Sequence, residues 1–234
     1  NADIQGMNRY FGWYERKIQD IKPWIEKMEK EYPWQRLMLT EYGADANIEH
    51  QTEILGDALN WTSPFYPETF QTKTHEYQWS IIAQHPYIIA SYLWNMFDFA
   101  ADARDQGGEP GMNHKGLVTF DRKTRKDSFY LYKAWWSDEN FVHICSKRFT
   151  DRTEREMEVK VYSNQKSVAL YVNGEKAGEQ TGEHVFSFRV PLTGEIEVKA
   201  VAGDCTDTAS FRYVDTPNPS YKLVKTKSKS ANWV

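Results

Sequence analysis

Arg36-Leu37-Met38-Leu39-Thr40-Glu41-Tyr42-Gly43 is the stretch on which the reading of this chain turns. Residues 36–40 form a short apolar run without polar alternation, the pattern of a strand buried on both faces, as in parallel sheets. The run ends on a carboxylate, Glu41, where a loop begins. A strand end holds such a side chain in place and the loop mouth opens it to a ligand, so this is a good position for a nucleophile. Taken alone, an acid at a strand end is more often a plain surface or capping residue, and the neighbouring segments have to decide.

Upstream, Ile18, Ile21, Ile25 and Met28 recur at helical spacing with Lys and Glu between them, which predicts an amphipathic helix from Tyr14 to Tyr32, stopped by Pro33. Before it, residues 3–8 read as a strand already under way, so the chain reads as a piece of something longer. Downstream, residues 43–69 form a long irregular stretch rich in Asn, Thr and Pro, of a length that usually serves function. Residues 70–84 read as helix, 87–95 as a second buried strand, 99–116 as another long loop, and 125–136 as a further helix. Alternation of strand and helix is the rhythm of βα units. The long loops follow the C-terminal strand ends, where TIM barrels place their active sites.

After about residue 139 the period changes to two. Residues 141–149, 156–162, 168–172, 185–190, 196–201 and 209–214 alternate apolar and polar, and Asn173-Gly174 is a tight-hairpin signal. This pattern predicts an antiparallel β-sandwich. Beyond Pro217 the composition turns to Lys and Ser with little apolar content. The expected organisation is an α/β domain over 1–138, an all-β sandwich over 139–216, and a linker or tail over 217–234.

Composition removes several function classes. The 234 residues carry 29 basic and 33 acidic side chains, a net charge of −4, which offers no basic stripe for nucleic acid. With 26% charged residues, no stretch is apolar enough for a membrane span. Two cysteines are too few for a disulfide framework and match no zinc spacing; Cys145 and Cys205 read as free thiols in preference to a pair across the sandwich. His75, His85 and His114 show no spacing such as HExxH and read as loop or helix-end residues, so neither a metal nor a cofactor is expected. Eight of the nine tryptophans precede residue 137, and such rings serve either as core or as surfaces on which sugars stack.

The order of segments is more specific than any one of them. Asn8-Arg9-Tyr10-Phe11-Gly12-Trp13-Tyr14 comes first, then Thr40-Glu41-Tyr42-Gly43, then Leu93-Trp94-Asn95-Met96-Phe97-Asp98-Phe99, and last Asn113-His114-Lys115-Gly116-Leu117 with Asp121-Arg122 beyond. Over residues 3 to 136 this series resembles the last three βα units of the (β/α)8 TIM barrel of glycoside hydrolase family 2, which includes β-galactosidases and β-glucuronidases. The later stretch around Ser167–Glu175 is similar to the immunoglobulin-like sandwich that follows that barrel in many bacterial members.

The resemblance implies roles residue by residue. Glu41 matches the catalytic nucleophile, which in a retaining mechanism forms a glycosyl-enzyme ester through oxocarbenium-like transition states. Tyr10 matches a tyrosine that hydrogen-bonds this carboxylate, and Asn8, Tyr14 and Trp94 match residues lining the sugar site. The partner acid/base Glu lies upstream of the nucleophile segment in the family. Glu15, Asp20, Glu26, Glu29 and Glu31 read instead as the solvated face of the first helix, so these residues alone are expected to be inactive.

For the sugar, Asn113 and Lys115 match the Asn-x-Lys pair with which β-glucuronidases hold a uronate carboxylate. Four residues before that Asn, however, the glucuronidases place an Arg where this chain has Glu109. Like charge beside a carboxylate is unfavourable, so a terminal β-D-galactoside is the expected substrate, with a β-glucuronide as the alternative. A non-catalytic carbohydrate-binding or scaffold module is the competing reading from another class. Three βα units cannot close an eight-stranded barrel, so contacts with the remainder of the enzyme, or a homo-oligomer, are also expected. The resemblance further implies export to the periplasm or beyond.

Overall fold

The computed structural model describes residues 3–104 and 109–223. These fall into two compact units, one spanning 3–126 together with 222–223, the other Asp127–Tyr221.

The first unit is built on three parallel strands: β1 (Ile4–Asn8), β2 (Arg36–Tyr42) and β3 (Ile88–Leu93), with β2 in the centre. Helix α1 (Ile21–Glu31) connects β1 to β2, and α2 (Glu68–Ile82) connects β2 to β3. Parallel neighbours need such crossovers, because the chain must return to the same end of the sheet before each strand. Leu37 and Leu39 of β2 are buried, as expected for a central strand covered by helices. In the register, Asn8 stands opposite Glu41 and Tyr42 opposite Leu93, so the C-terminal ends of all three strands lie side by side. A short hairpin of β4 (Phe99–Ala100) and β5 (Met112–Asn113) follows β3.

The first helix is shorter than its periodicity predicts. Residues 14–17 are irregular, Ile18–Asp20 form a 3₁₀ turn, and α1 begins only at Ile21. Pro23 explains the start: without an N–H it is tolerated in the first turn of a helix but not in the middle of one. The long stretch after Glu41 is not an open loop. Ala44, Asp45, Ala46, His50 and Tyr66 are buried, and the backbone of Ala46 and Asn47 bonds to His114 and Tyr66.

The second unit opens with α3 (Asp127–Trp136) and continues as β6 (Val142–Ile144), β7 (Asp151–Arg152), β8 (Glu156–Ser163), β9 (Ser167–Val172), β10 (Glu175–Thr181), β11 (His184–Pro191), β12 (Glu195–Ala202) and β13 (Cys205–Tyr213). One sheet runs β10-β9-β12-β13-β7 and the other β11-β8-β6. Their inward residues, among them Val159, Val161, Leu170, Phe186, Val198 and Phe211, form one apolar core. Helix α3 groups with these strands because Leu131 and Ala134 pack with Phe141, Cys145 and Tyr162. The division between units therefore falls one helix earlier than residue 138, where the composition changes.

Two differences from the alternation pattern have simple causes. β10 has almost no buried residue, since it is an edge strand, and so carries no apolar period to detect. Conversely, the apolar stretch 141–149 holds only the three-residue β6, with Ser146 in a left-handed turn. Cys145 and Cys205 are both free thiols.

Candidate active site

Glu41 sits at the C-terminal end of β2, and adjacency of β1 decides its partner. Asn8, the last residue of β1, is opposite Glu41, and Arg9 N–H donates to the Glu41 carbonyl at 2.8 Å. The chain then turns, and Tyr10 Oη donates to Glu41 Oε2 at 2.5 Å, a charge-assisted contact. The turn is tied by Glu15, which accepts from Tyr10 N–H at 3.0 Å and pairs with Arg9 at 3.1 Å. Glu15 is thus half-buried and structural, not part of a solvated helix face. Gly12 is needed within the turn: its φ is +81°, and a Cβ there would lie 2.4 Å from the Ile18 side chain. Burial, reinforced by the hydrogen bond and charge of Glu41, pushes the Tyr10 phenol far above its ordinary range, so it is a firm proton donor.

From Tyr10 the site continues as aromatic rings and cations. Tyr10 and Tyr14 meet edge to face with centroids 5.2 Å apart, and Tyr14 meets Trp61 at 5.5 Å. Lys115 Nζ donates to Tyr14 Oη at 3.0 Å and lies 5.6 Å from the Tyr10 ring centroid. It also bonds Asp45, a fully buried carboxylate that accepts from Arg104 Nη2 at 2.9 and 3.1 Å and from His114 N–H at 2.9 Å. Burial alone would raise the Tyr14 phenol; the charge and hydrogen bond of Lys115, with Arg104 behind them, outweigh it and bring the phenol below its usual value.

The segment carrying Lys115 is held from below. Asn113 Oδ1 accepts from Lys115 N–H at 3.0 Å, a local turn bond. Gly116 N–H donates to Asp98 Oδ1 at 2.9 Å, and a Cβ on Gly116 would fall 2.0 Å from the Asp98 nitrogen. Lys126, fully buried, donates to Asp98, to the His114 carbonyl and to the Ala46 carbonyl at 2.7–2.9 Å. Burial drags its ammonium below the ordinary value, against the pull of Asp98.

Of the residues singled out from sequence, Glu41, Tyr10, Tyr14 and Lys115 come together. Asn8 lies at the adjoining strand end, but its side chain is exposed and accepts from Thr40 Oγ1 at 2.6 Å. Trp94 is half-buried; its backbone N–H donates to the Tyr42 carbonyl at 2.8 Å, and its ring meets Phe99 with centroids 6.1 Å apart. Asn113 is buried behind Lys115. Asp45 and Arg104 were missed. Asp45 had a faint signal in its place four residues after Glu41; Arg104, inside a long loop, had none.

Glu109 lines a cavity of about 360 Å³ with Asn47, Asp98, His114 and Asp121, and its N–H donates to His114 Nε2 at 3.2 Å. His85 follows a helix end and His114 lies in a loop, as expected, but His75 departs from expectation: it lies in mid-α2 and is fully buried, which pushes it down to about 3 and keeps it neutral. In the second unit, donor atoms of Asp127, His143 and Cys145 lie within 4.8 Å of one another. The Asp127 carboxylate is engaged by His143 at 3.0 Å, Ser146 N–H at 2.6 Å and Arg148 at 3.6 Å, an ion-pair network rather than an open ligand set.

Residues 154–206 match a family model described as a domain of unknown function, DUF4982. A curated β-glucuronidase of Bacteroides fragilis is 40% identical over 179 residues, which cover 75% of this chain and 25% of that protein. A solved structure from Bacteroides fragilis, provisionally named a β-galactosidase, superposes with a TM-score of 0.86 at 59% identity, covering 91% of this chain and 33% of the other. The chain belongs to glycoside hydrolase family 2. An FMN-binding β-glucuronidase structure from F. prausnitzii L2-6 is similar at 42% identity and TM-score 0.87, over 94% of this chain and 33% of its own. This family 2 chain therefore spans about a quarter to a third of the length of these relatives.

Proposed function

We propose that the chain supplies the nucleophile portion of a retaining, exo-acting β-glycosidase. The Tyr10–Glu41 hydrogen bond at the end of β2 carries the proposal. A phenol that keeps its proton aims the carboxylate at an anomeric carbon; attack there forms a glycosyl ester as the bond to the leaving-group oxygen breaks, that oxygen taking a proton from an acid in the remainder of the protein. The ester is then hydrolysed by water, activated by a carboxylate from the remainder of the protein. In this reading the three parallel βα repeats belong to a (β/α)8 barrel, and the two-sheet unit is an immunoglobulin-like module. Asn8, Tyr14 and Trp94 line the sugar, and Asn113 presents Lys115.

For the sugar, the expectation of a β-galactoside rests on the acid Glu109, whose N–H bonds His114 beside Lys115. Lys115, two side chains away from Glu41, favours a β-glucuronide. The neutral β-galactoside keeps specific support as a second reading, because Asp45 already bonds both nearby cations.

The test is hydrolysis by the complete protein of nitrophenyl β-D-glucuronide and β-D-galactoside, with Glu41→Gln as the control. Loss of at least about 10³ in kcat on Glu41→Gln is expected, as for removal of a covalent nucleophile. Full activity of that variant would remove the proposal.

A further inference from the structure

The charge of the sugar is decided by a residue outside the Asn-x-Lys spacing. We infer that Arg104, coupled to Lys115 through Asp45, is a specificity-determining residue that completes a cationic subsite for the carboxylate of a uronic-acid sugar; this rests on the glycosidase reading of Glu41.

Three observations carry it. The first is the balance of charge. Lys115 and Arg104 meet one carboxylate, Asp45, and the three side chains are 2%, 11% and 0% exposed. Among these three side chains one positive charge is left over where water hardly reaches, a costly arrangement that a ligand anion relieves.

The second is the use of donors. A guanidinium has five N–H groups, yet among the described residues Arg104 reaches its partners, both Asp45 oxygens and Tyr14 Oη, through Nη2. Its Nε is buried with no hydrogen-bond partner among the described residues. A fork with donors to spare is suited to a second carboxylate.

The third is position. Tyr14 Oη receives Lys115 at 3.0 Å and Arg104 at 3.4 Å, so both cations converge on one point. Tyr10 joins that point to the nucleophile, with its hydroxyl on Glu41 and its ring against Tyr14. The guanidinium arrives from an unexpected part of the loop. The β4–β5 hairpin, closed by Ala101 N–H to the Gly111 carbonyl and Gly111 N–H to the Arg104 carbonyl, both at 2.8 Å, brings Arg104 inward onto Asp45.

The experiment compares kcat/KM of the complete protein on nitrophenyl β-D-glucuronide and β-D-galactoside for the wild type, Arg104→Gln and Arg104→Lys. The wild type is expected to prefer the glucuronide. Arg104→Gln should lower the glucuronide-to-galactoside ratio about tenfold to a hundredfold, mainly through KM, as for loss of charged hydrogen bonds, and Arg104→Lys should restore part of it. Calorimetric binding of glucuronic acid and galactose to the Glu41→Gln protein gives a readout free of turnover, with glucuronic acid expected to bind more tightly unless Arg104 is also replaced. A ratio unmoved by Arg104→Gln overturns the inference. So does a wild type that cleaves the galactoside alone, although the role of Glu41 then survives. If neither sugar is cleaved, the glycosidase reading fails, and glucuronic acid binding no more tightly than galactose overturns the inference independently.

Discussion

Replacing Asp45 by Asn changes one atom and removes one charge, and the surroundings make that a severe change. The amide oxygen in the place of Oδ1 can still accept from His114 N–H and from Arg104, so shape and two of the four hydrogen bonds survive. What is lost is the only anion bonded to both Lys115 and Arg104 among the described residues, in a place where the carboxylate itself has no exposed surface. Breaking a buried pair by neutralising one partner costs about 3–5 kcal/mol, because the remaining charge is stranded. Converted at about 1.4 kcal/mol per decade, amide exchange through local opening should accelerate by roughly two to four decades. The amide to follow is His114 N–H, which donates to Asp45. Hydrogen exchange of the complete protein, read by mass spectrometry on peptides spanning 42–47 and 111–118, measures it without unfolding the other domains. Adding Lys115→Met should return about 1–3 kcal/mol of the loss, since one of the two stranded cations then disappears. Exchange in Asp45→Asn within tenfold of wild type, or no coupling to Lys115→Met, would refute the idea that charge compensation organises this site.

Other expectations follow from single contacts. Tyr10→Phe deletes the 2.5 Å bond to Glu41 and should reduce kcat/KM of the complete protein about tenfold to a hundredfold; an unchanged value means that the phenol does not position the carboxylate. His75 should remain neutral down to about pH 4, seen as an imidazole resonance that does not titrate between pH 5 and 8. Because its folded value, about 3, lies below the unfolded 6.5, it leaves stability unaffected above pH 6.5. Between pH 6.5 and 3 the unfolded chain takes up the proton first, so stability falls by about 1.4 kcal/mol per pH unit. Gly116→Ala drives a Cβ to 2.0 Å from the Asp98 nitrogen, a clash with backbone that cannot rotate away; a melting temperature equal to wild type would be the contrary result.

Much of the scaffold was legible along the chain. The apolar run 36–40 marks the central strand, with Leu37 and Leu39 buried on one face and Met38 and Thr40 half-buried on the other, and its end is why Glu41 could be read as a mouth residue. Asn173-Gly174 marked the hairpin between β9 and β10 because both residues take positive φ there, as that turn type demands. The edge strand β10 and the late start of α1 were not legible. One carries no buried face, and the other is governed by a proline whose effect depends on where the helix begins.

The site divides the same way. Strand-end placement of Glu41 and the approach of Tyr10 follow from neighbouring parallel strands, a local rule that a sequence expresses directly. The cluster around Asp45 obeys no such rule: its partners Arg104 and Lys115 stand 59 and 70 positions along the chain. Periodicity records which face of a strand or helix is dry, and it is blind to which charges from distant loops meet in one dry place. Only folding brings two cations and one carboxylate together at Tyr14. Coulomb energy depends on separation in space and on exclusion of water, and neither quantity exists in the order of the residues.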